Sequence, residues 1–475
     1  MNLISITFIL FILVLLVTYY SVNKQYQWLV LLLGSLVFYI WTNPFNIIFL
    51  LISIVSTWWL MKTPTRMHWY LTLIINLGLI IVFRYSTYWG VQDLIVPLGI
   101  SFYTFMTLGY AHSVYEKKIP PCENLLHYAL YITYFPQIIE GPIGIYQKMM
   151  PQLLQPHPFE MNHIQSGVYR LLKGLFKKLV IAGRLSYYVD TVYANPGVEG
   201  GLTLLIATFF YTIELYADFS GYMDIVCGIS EMLGIKLKEN FIRPYFSKTI
   251  QEFWRRWHIS LNEWFKEHLM MPAVTSSWNR KLSKTLGKVF TKAKKGTLRT
   301  IFPLVLVWMV TGIWHGAETV YIGWGLYYSV IMLFSVCTTA YMKKIRQKLH
   351  WNDDLPGIKI FRVIRTYLIV LIGEVLFRAH TLSDAFYIYK TIFTNTQLHL
   401  ASITAALKPF GNGNQAVASL IIIALLIGGL FFIELRKEMN EQAFTKHRAV
   451  YAGLMLVVVV LFSVTGQSSF MYQQF

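Results

Sequence analysis

Two histidines, one closing an apolar run and one at the edge of an amphipathic pattern, are candidates for acid–base chemistry, and a set of carboxylates interrupts an apolar stretch elsewhere in the sequence. His315 closes the apolar run Ile301–Trp314, opens His315-Gly316-Ala317-Glu318, and precedes a second span, Thr319–Tyr341. A neutral imidazole takes up and returns protons near physiological pH, the property a general base needs. As a helix, Ile301–Trp314 rises about 21 Å, short of the roughly 30 Å of bilayer hydrocarbon. The hairpin is flanked by Arg280, Lys281, Lys284, Lys288, Lys292, Lys294, Lys295 and Arg299 on one side and by Lys343, Lys344, Arg346 and Lys348 on the other. Positive loops stay cytoplasmic, so the turn points away from the cytoplasm, and its short first limb predicts His315 inside the membrane. An ionisable side chain there is costly and by default functional. The competing reading pairs His315 with Glu318, or with a backbone carbonyl, merely to hold two helices together.

His258 lies in the most patterned stretch. After the polar approach Asn240–Tyr245, Thr249-Ile250-Gln251-Glu252 has the form of a capping box, which predicts a helix from Ile250 until Pro272 disrupts it. Phe253, Trp254, Trp257, Leu261, Trp264, Phe265 and Met271 fall on one face of that helix. Arg255, Arg256, Asn262, Glu263, Lys266 and Glu267 fall on the other, with His258 at the boundary. Such a helix lies along an interface or walls a cavity; a plain anchoring helix explains it equally well. Further back, Glu214, Asp218 and Asp224 punctuate an apolar helix, and Glu214 and Asp218 share a face. Carboxylates cannot face lipid, so these either pair with arginines or line a polar interior, and the polar interior is the expectation. The basic stretch Leu171–Arg184, with Lys173, Lys177 and Lys178, is expected at the cytoplasmic face.

The elements that must position these groups are membrane helices. Of 475 residues 55% are hydrophobic and only 13% charged, against about 25% charged in soluble domains. Apolar runs recur at Leu3–Val22, Trp28–Ile40, Phe45–Met61, Trp69–Phe83, Leu202–Leu215, Phe361–Leu376, Ala416–Ile433 and Val450–Val464. With the hairpin and shorter broken segments they predict an all-α polytopic protein of about eleven or more membrane helices. The net charge of +18 sits in loops, where topology and anionic lipid headgroups account for it without nucleic acid. Cys122, Cys227 and Cys337 are scattered, without the spacing of a zinc site or a disulfide framework, and no metal motif appears. The N-terminus lacks a signal-peptide cleavage pattern, so its run is expected to persist as the first helix. Pro and Gly break the apolar texture at Val96–Phe105 and Phe135–Pro142; irregular backbone at membrane depth requires protein or a wet cavity around it, and Glu140 is not expected to face lipid.

Together these motifs resemble the membrane-bound O-acyltransferase superfamily, most closely its bacterial branch of alginate O-acetyltransferase-like proteins. The match is carried by Pro97-Leu98-Gly99-Ile100-Ser101-Phe102-Tyr103-Thr104-Phe105 with Phe135-Pro136-Gln137 and Gly141-Pro142; by Asp218-Phe219-Ser220-Gly221-Tyr222-Met223-Asp224; by Asn240-Phe241-Ile242-Arg243-Pro244-Tyr245 with Glu252–Leu261; and by Gly312-Ile313-Trp314-His315-Gly316-Ala317. Phe377-Arg378-Ala379 and Leu382-Ser383-Asp384-Ala385 extend it. The pattern departs at Lys266-Glu267, at Ala273-Val274, at Ser113–Glu116 and in the basic insert after Pro272.

The resemblance implies one integral-membrane domain over residues 1–475, located in the plasma membrane: scaffold helices at 1–90, the family core at 91–385, and C-terminal helices with an aromatic tail at 386–475. Re-entrant or interfacial helices and a central tunnel belong to that expectation. It further implies transfer of an acyl group, acetyl from acetyl-CoA, from a cytoplasmic thioester to a hydroxyl of a cell-surface or secreted polysaccharide, directly or through an extracytoplasmic acyltransferase partner. His315 is then the general base and His258 the second site histidine, orienting the donor or polarising its carbonyl. Asp218 and Glu318 are candidates to fix an imidazole tautomer, and Tyr222, Asn240, Trp254, Arg256, Trp257 and Trp314 are candidates to line the tunnel. Tyr472 in the tail Ser468–Phe475 is a candidate acyl relay, with an aromatic belt anchoring the last helix as the plainer account. Two rivals stay open at this point: D-alanyl transfer to teichoic acid, and a non-catalytic glycan or lipid transporter with gating histidines.

Overall fold

In the computed structural model, residues 4–42, 44–86, 90, 96–289, 295–440 and 448–464 are described, and every regular element among them is helical. That is the physical solution for an apolar chain, because a helix satisfies its own backbone where water is absent. The apolar runs become Ile6–Ser21, Gln27–Thr42, Ile47–Met61, Arg66–Arg84, Pro356–Arg378, Asn414–Met439 and Arg448–Phe462. Side-chain caps start two of them: Ser5 accepts from the Phe8 amide and Thr65 from the His68 amide. Five described helices are long and apolar enough to cross a membrane, including Gly201–Met232 and both limbs of the histidine hairpin; four shorter apolar helices accompany them. Gly201–Met232 differs from the rest. Its apolar window is 78% buried in protein, against 17% for Arg66–Arg84 and for Asn414–Met439, so it is an interior element that its neighbours shield from lipid.

The chain forms two compact units: Met1–Val180, Ala217–Asn240 and Phe444–Phe475 make one; Ile181–Tyr216 and Phe241–Ala443 make the other. In the first, Met161–Leu175 and Gly201–Met232 approach backbone to backbone. A Cβ on Gly167 would collide with the Gly228 carbonyl, and one on Gly174 with the Gly221 carbonyl; the reverse contacts, at 2.6 and 2.9 Å, are also too close for a side chain. Small residues are what permit such a seam. It brings the basic stretch against the acidic helix. A π-helical turn, Phe176–Ala182, carries Lys177 and Lys178. Lys178 pairs with Asp218, while Asp224 takes Lys177 at 2.9 Å, Lys173 at 3.1 Å and Arg170 at 3.4 Å. These pairs correct one expectation: Asp218 and Asp224 are met mainly by lysines instead of opening onto a polar interior. Lys177 and Lys178 themselves are buried in protein at this seam. The Pro/Gly breaks also find their reason here. Gly99, at φ +72°, packs so closely on the Ile138 carbonyl that any side chain would overlap it, and Glu140 beside it is buried.

In the second unit the first limb of the hairpin is Lys295–His315, 21 residues long. It rises about 32 Å and suffices to cross the hydrocarbon, so the short-limb argument for placing His315 within the bilayer is overturned. Polar residues extend its first turns, Thr300 Oγ1 donating to the Thr297 carbonyl at 2.8 Å. The second limb is Thr319–Lys348. Glycines again set the approach: a Cβ on Gly312 would strike the Tyr321 carbonyl and one on Gly325 the Trp308 carbonyl.

Candidate active site

The expected helix from Ile250 to Pro272 is broken at the histidine. Ile250–Arg256 ends at Trp257, His258 adopts the left-handed conformation (φ +46°, ψ +54°), and Ile259–Phe265 begins anew before a π-helical turn, Lys266–Met270. Thr249 caps the first piece by accepting from the Glu252 amide, but Glu252 reaches back to the Lys248 amide, so the box is only half formed. A left-handed non-glycine residue costs about 1–3 kcal/mol and persists only where its surroundings hold it. Asn262 supplies part of that hold: its side-chain amide donates to the carbonyls of Trp254 and Trp257 at 2.6 Å and of His258 at 3.3 Å. The break turns the boundary residue of the predicted helix inward, and His258 is 3% exposed. Burial drives its imidazole pKa down from 6.5 to about 3, so at neutral pH the ring is uncharged, with one N–H donor and one acceptor.

His315, 4% exposed, is the last residue of its limb. The Trp314 indole centre is 4.6 Å from the His315 ring and 6.5 Å from the His258 ring, so one side chain adjoins both imidazoles. Phe377 at 4.9 Å and Trp324 at 5.1 Å stand edge-on to His315. Behind them Trp254, Trp308, Trp324 and Tyr328 form a mutual cluster with centroid separations of 4.7–5.8 Å. Its Trp254 Nε1, Trp324 Nε1 and Tyr328 hydroxyl are buried without a hydrogen-bond partner among the described residues. Buried donors left so are costly and rare, and a polar ligand would satisfy them.

The other predicted residues are distributed as follows. Glu318 is exposed at the start of Thr319–Lys348, its carboxylate close to Gly316. Arg256 pairs with Glu252 and Glu438 at 2.7 and 3.0 Å, and Trp257 stacks on Phe253 at 5.5 Å. In the first unit, Asp218 meets Lys178, the Tyr222 hydroxyl faces the Glu140 backbone, and the Asn240 amide lies 3.3 Å from Met223 Sδ. Tyr472 lies outside the described residues. Trp308, Trp324, Tyr328 and Glu438 were not singled out by sequence; the i, i+4 spacing of Trp324 and Tyr328 on the second limb is a signal that points to those two.

Two buried histidines sharing an indole, on a chain of membrane helices, are the geometry to set against known proteins. The sequence model described as MBOAT, the membrane-bound O-acyltransferase family, matches residues 17–377. The chain belongs to this family. As a member it is an integral membrane protein and an O-acyltransferase. It is similar to a probable alginate O-acetylase of Pseudomonas aeruginosa, 30% identical over 462 residues covering 92% of this chain and 82% of that protein. A peptidoglycan O-acetyltransferase of Helicobacter pylori is 29% identical over 83% of this chain and 79% of its own. A teichoic acid D-alanyltransferase of Bacillus subtilis is 29% identical, over 60% of this chain and 69% of its own.

Proposed function

We propose that this acyltransferase moves an acetyl group from acetyl-CoA on the cytoplasmic side to a hydroxyl of a cell-surface polysaccharide, directly or through an extracytoplasmic acyltransferase. The observation that carries the site assignment is the convergence of His258 and His315 on Trp314. In this proposal His315 takes the hydroxyl proton as the oxygen attacks the thioester carbonyl; the carbon–sulfur bond breaks, and the imidazolium returns the proton to the leaving thiolate. General-base assistance of this kind contributes about 10²- to 10⁴-fold. His258, kept neutral by burial, donates its N–H to the carbonyl oxygen on which negative charge develops, as a polarising group rather than a second base. The aromatic wall excludes water, which would otherwise compete for the acyl group. The cationic loops suit the phosphates of coenzyme A.

Acetyl is preferred to D-alanyl because similarity to the alginate O-acetylase runs over 92% of the chain, whereas similarity to the D-alanyltransferase covers 60%. Membranes containing this protein, supplied with labelled acetyl-CoA or with a D-alanyl carrier protein, test the choice. Acetyl ester on the polysaccharide, absent in His315→Ala, is the expected result; D-alanyl ester would replace the donor, and ester formation undiminished in His315→Ala would remove the assigned base.

A further inference from the structure

We infer that Glu438 is a positioning residue for His258, an inference that rests on the assignment of His258 to the site. Glu438 lies on Asn414–Met439, beyond the residues matched by the family model. Its carboxylate accepts from Arg243 Nε at 2.7 Å and, in a two-pronged pair, from Arg256 Nη1 and Nη2 at 3.0 Å each. Those arginines bracket the segment that delivers the histidine. Arg243 is itself left-handed (φ +46°), the Ile242 amide donates to the Arg256 carbonyl at 3.0 Å, and Arg256 Nη1 reaches back to the Arg243 carbonyl at 3.3 Å. Arg256 ends the helix two residues before His258. One carboxylate therefore closes the loop 243–256 at both ends.

The position of the turn needs that closure. Asn262 holds the shape of the His258 turn, but its partners lie on the same short segment, so it cannot fix where the turn sits in the unit. The Glu438 clamp ties the segment to a separate long helix. Planar two-pronged arginine–carboxylate pairs define orientation as well as distance. A displacement of about 1 Å at a reacting centre is enough to cost roughly 10²-fold in rate.

The test uses purified full-length protein in lipid nanodiscs with acetyl-CoA, or with the D-alanyl carrier if that is what the wild type turns over. Glu438→Gln is expected to lower kcat by about tenfold or more with the donor KM within about twofold, the signature of misplaced machinery rather than lost binding. Arg256→Lys, which keeps charge but not the two-pronged geometry, should show the same split. Rates are normalised to folded protein by size-exclusion recovery and thermal melting. Wild-type kcat per folded molecule in Glu438→Gln, alongside a His258→Ala slowed about 10²-fold, overturns the clamp alone. Wild-type turnover in His258→Ala overturns the assignment of His258 and this inference with it.

Discussion

Two clusters, one in each unit, bury polar groups in opposite ways. In the first, Lys177, Lys178, Lys173 and Arg170 meet Asp218 and Asp224 through ion pairs, each charge answered by another. In the second, His258 and His315 are packed against indole and phenyl rings, and buried donors of the same wall lack partners among the described residues. An ionisable residue within a membrane protein invites a functional reading by default. Under the proposed function the contrast sharpens that rule: a buried charge balanced by a neighbour is spent on architecture, while the ring-walled histidines carry the chemistry.

The comparison breaks first at His315. His315→Ala should reduce turnover by about 10²- to 10⁴-fold with melting and yield unchanged, measured as thiol release from the donor. In the other unit the outcome should invert. Asp224→Asn leaves Lys177 and its neighbours without their anion, and breaking a buried pair in this way costs about 3–5 kcal/mol of stability. Melting should fall while turnover per folded molecule stays within about twofold of wild type. Equal damage to turnover per folded molecule in both variants would erase the distinction. His258→Ala should lose about 10²-fold, the scale of one lost carbonyl-polarising donor.

Because burial depresses the folded-state pKa of His258 from 6.5 to about 3, the unfolded chain binds the extra proton between those values. The residue therefore costs nothing in this respect above pH 6.5 and destabilises the fold progressively as pH falls toward 3, a slope that His258→Asn should remove. The smallest effect is local. Thr249→Ala deletes the cap that starts the segment before His258 and should cost about 1 kcal/mol, read as faster amide exchange over Ile250–Phe253.

Much of the fold was legible because long apolar runs have few alternatives to helices; His315 stood out as an imidazole closing such a run, and His258 as the boundary residue of an amphipathic pattern. The break at His258 was not legible: the 3.6-residue periodicity continues through it, and only tertiary support makes a left-handed residue tolerable there. The length of Lys295–His315 was missed because its opening turns are polar, although polar turns with long basic stems suit the membrane interface. The partners of Asp218 and Asp224 were hidden for a different reason. Nothing in Leu171–Arg184 alone says which face a π-helical turn will present. Glu438 sits among the charges at the end of Asn414–Met439, where sequence alone does not distinguish it from a solvated helix-end carboxylate.

The seam of Gly167, Gly174, Gly221 and Gly228 carries a mechanical consequence. Where two backbones touch there is no side chain to yield, so Met161–Leu175 cannot ratchet along Gly201–Met232 without driving carbonyls into neighbouring chain. The seam works as an index, fixing which cation meets which anion as teeth fix the angle of a gear. Any flexing that admits an acyl group must be absorbed by other parts of the protein.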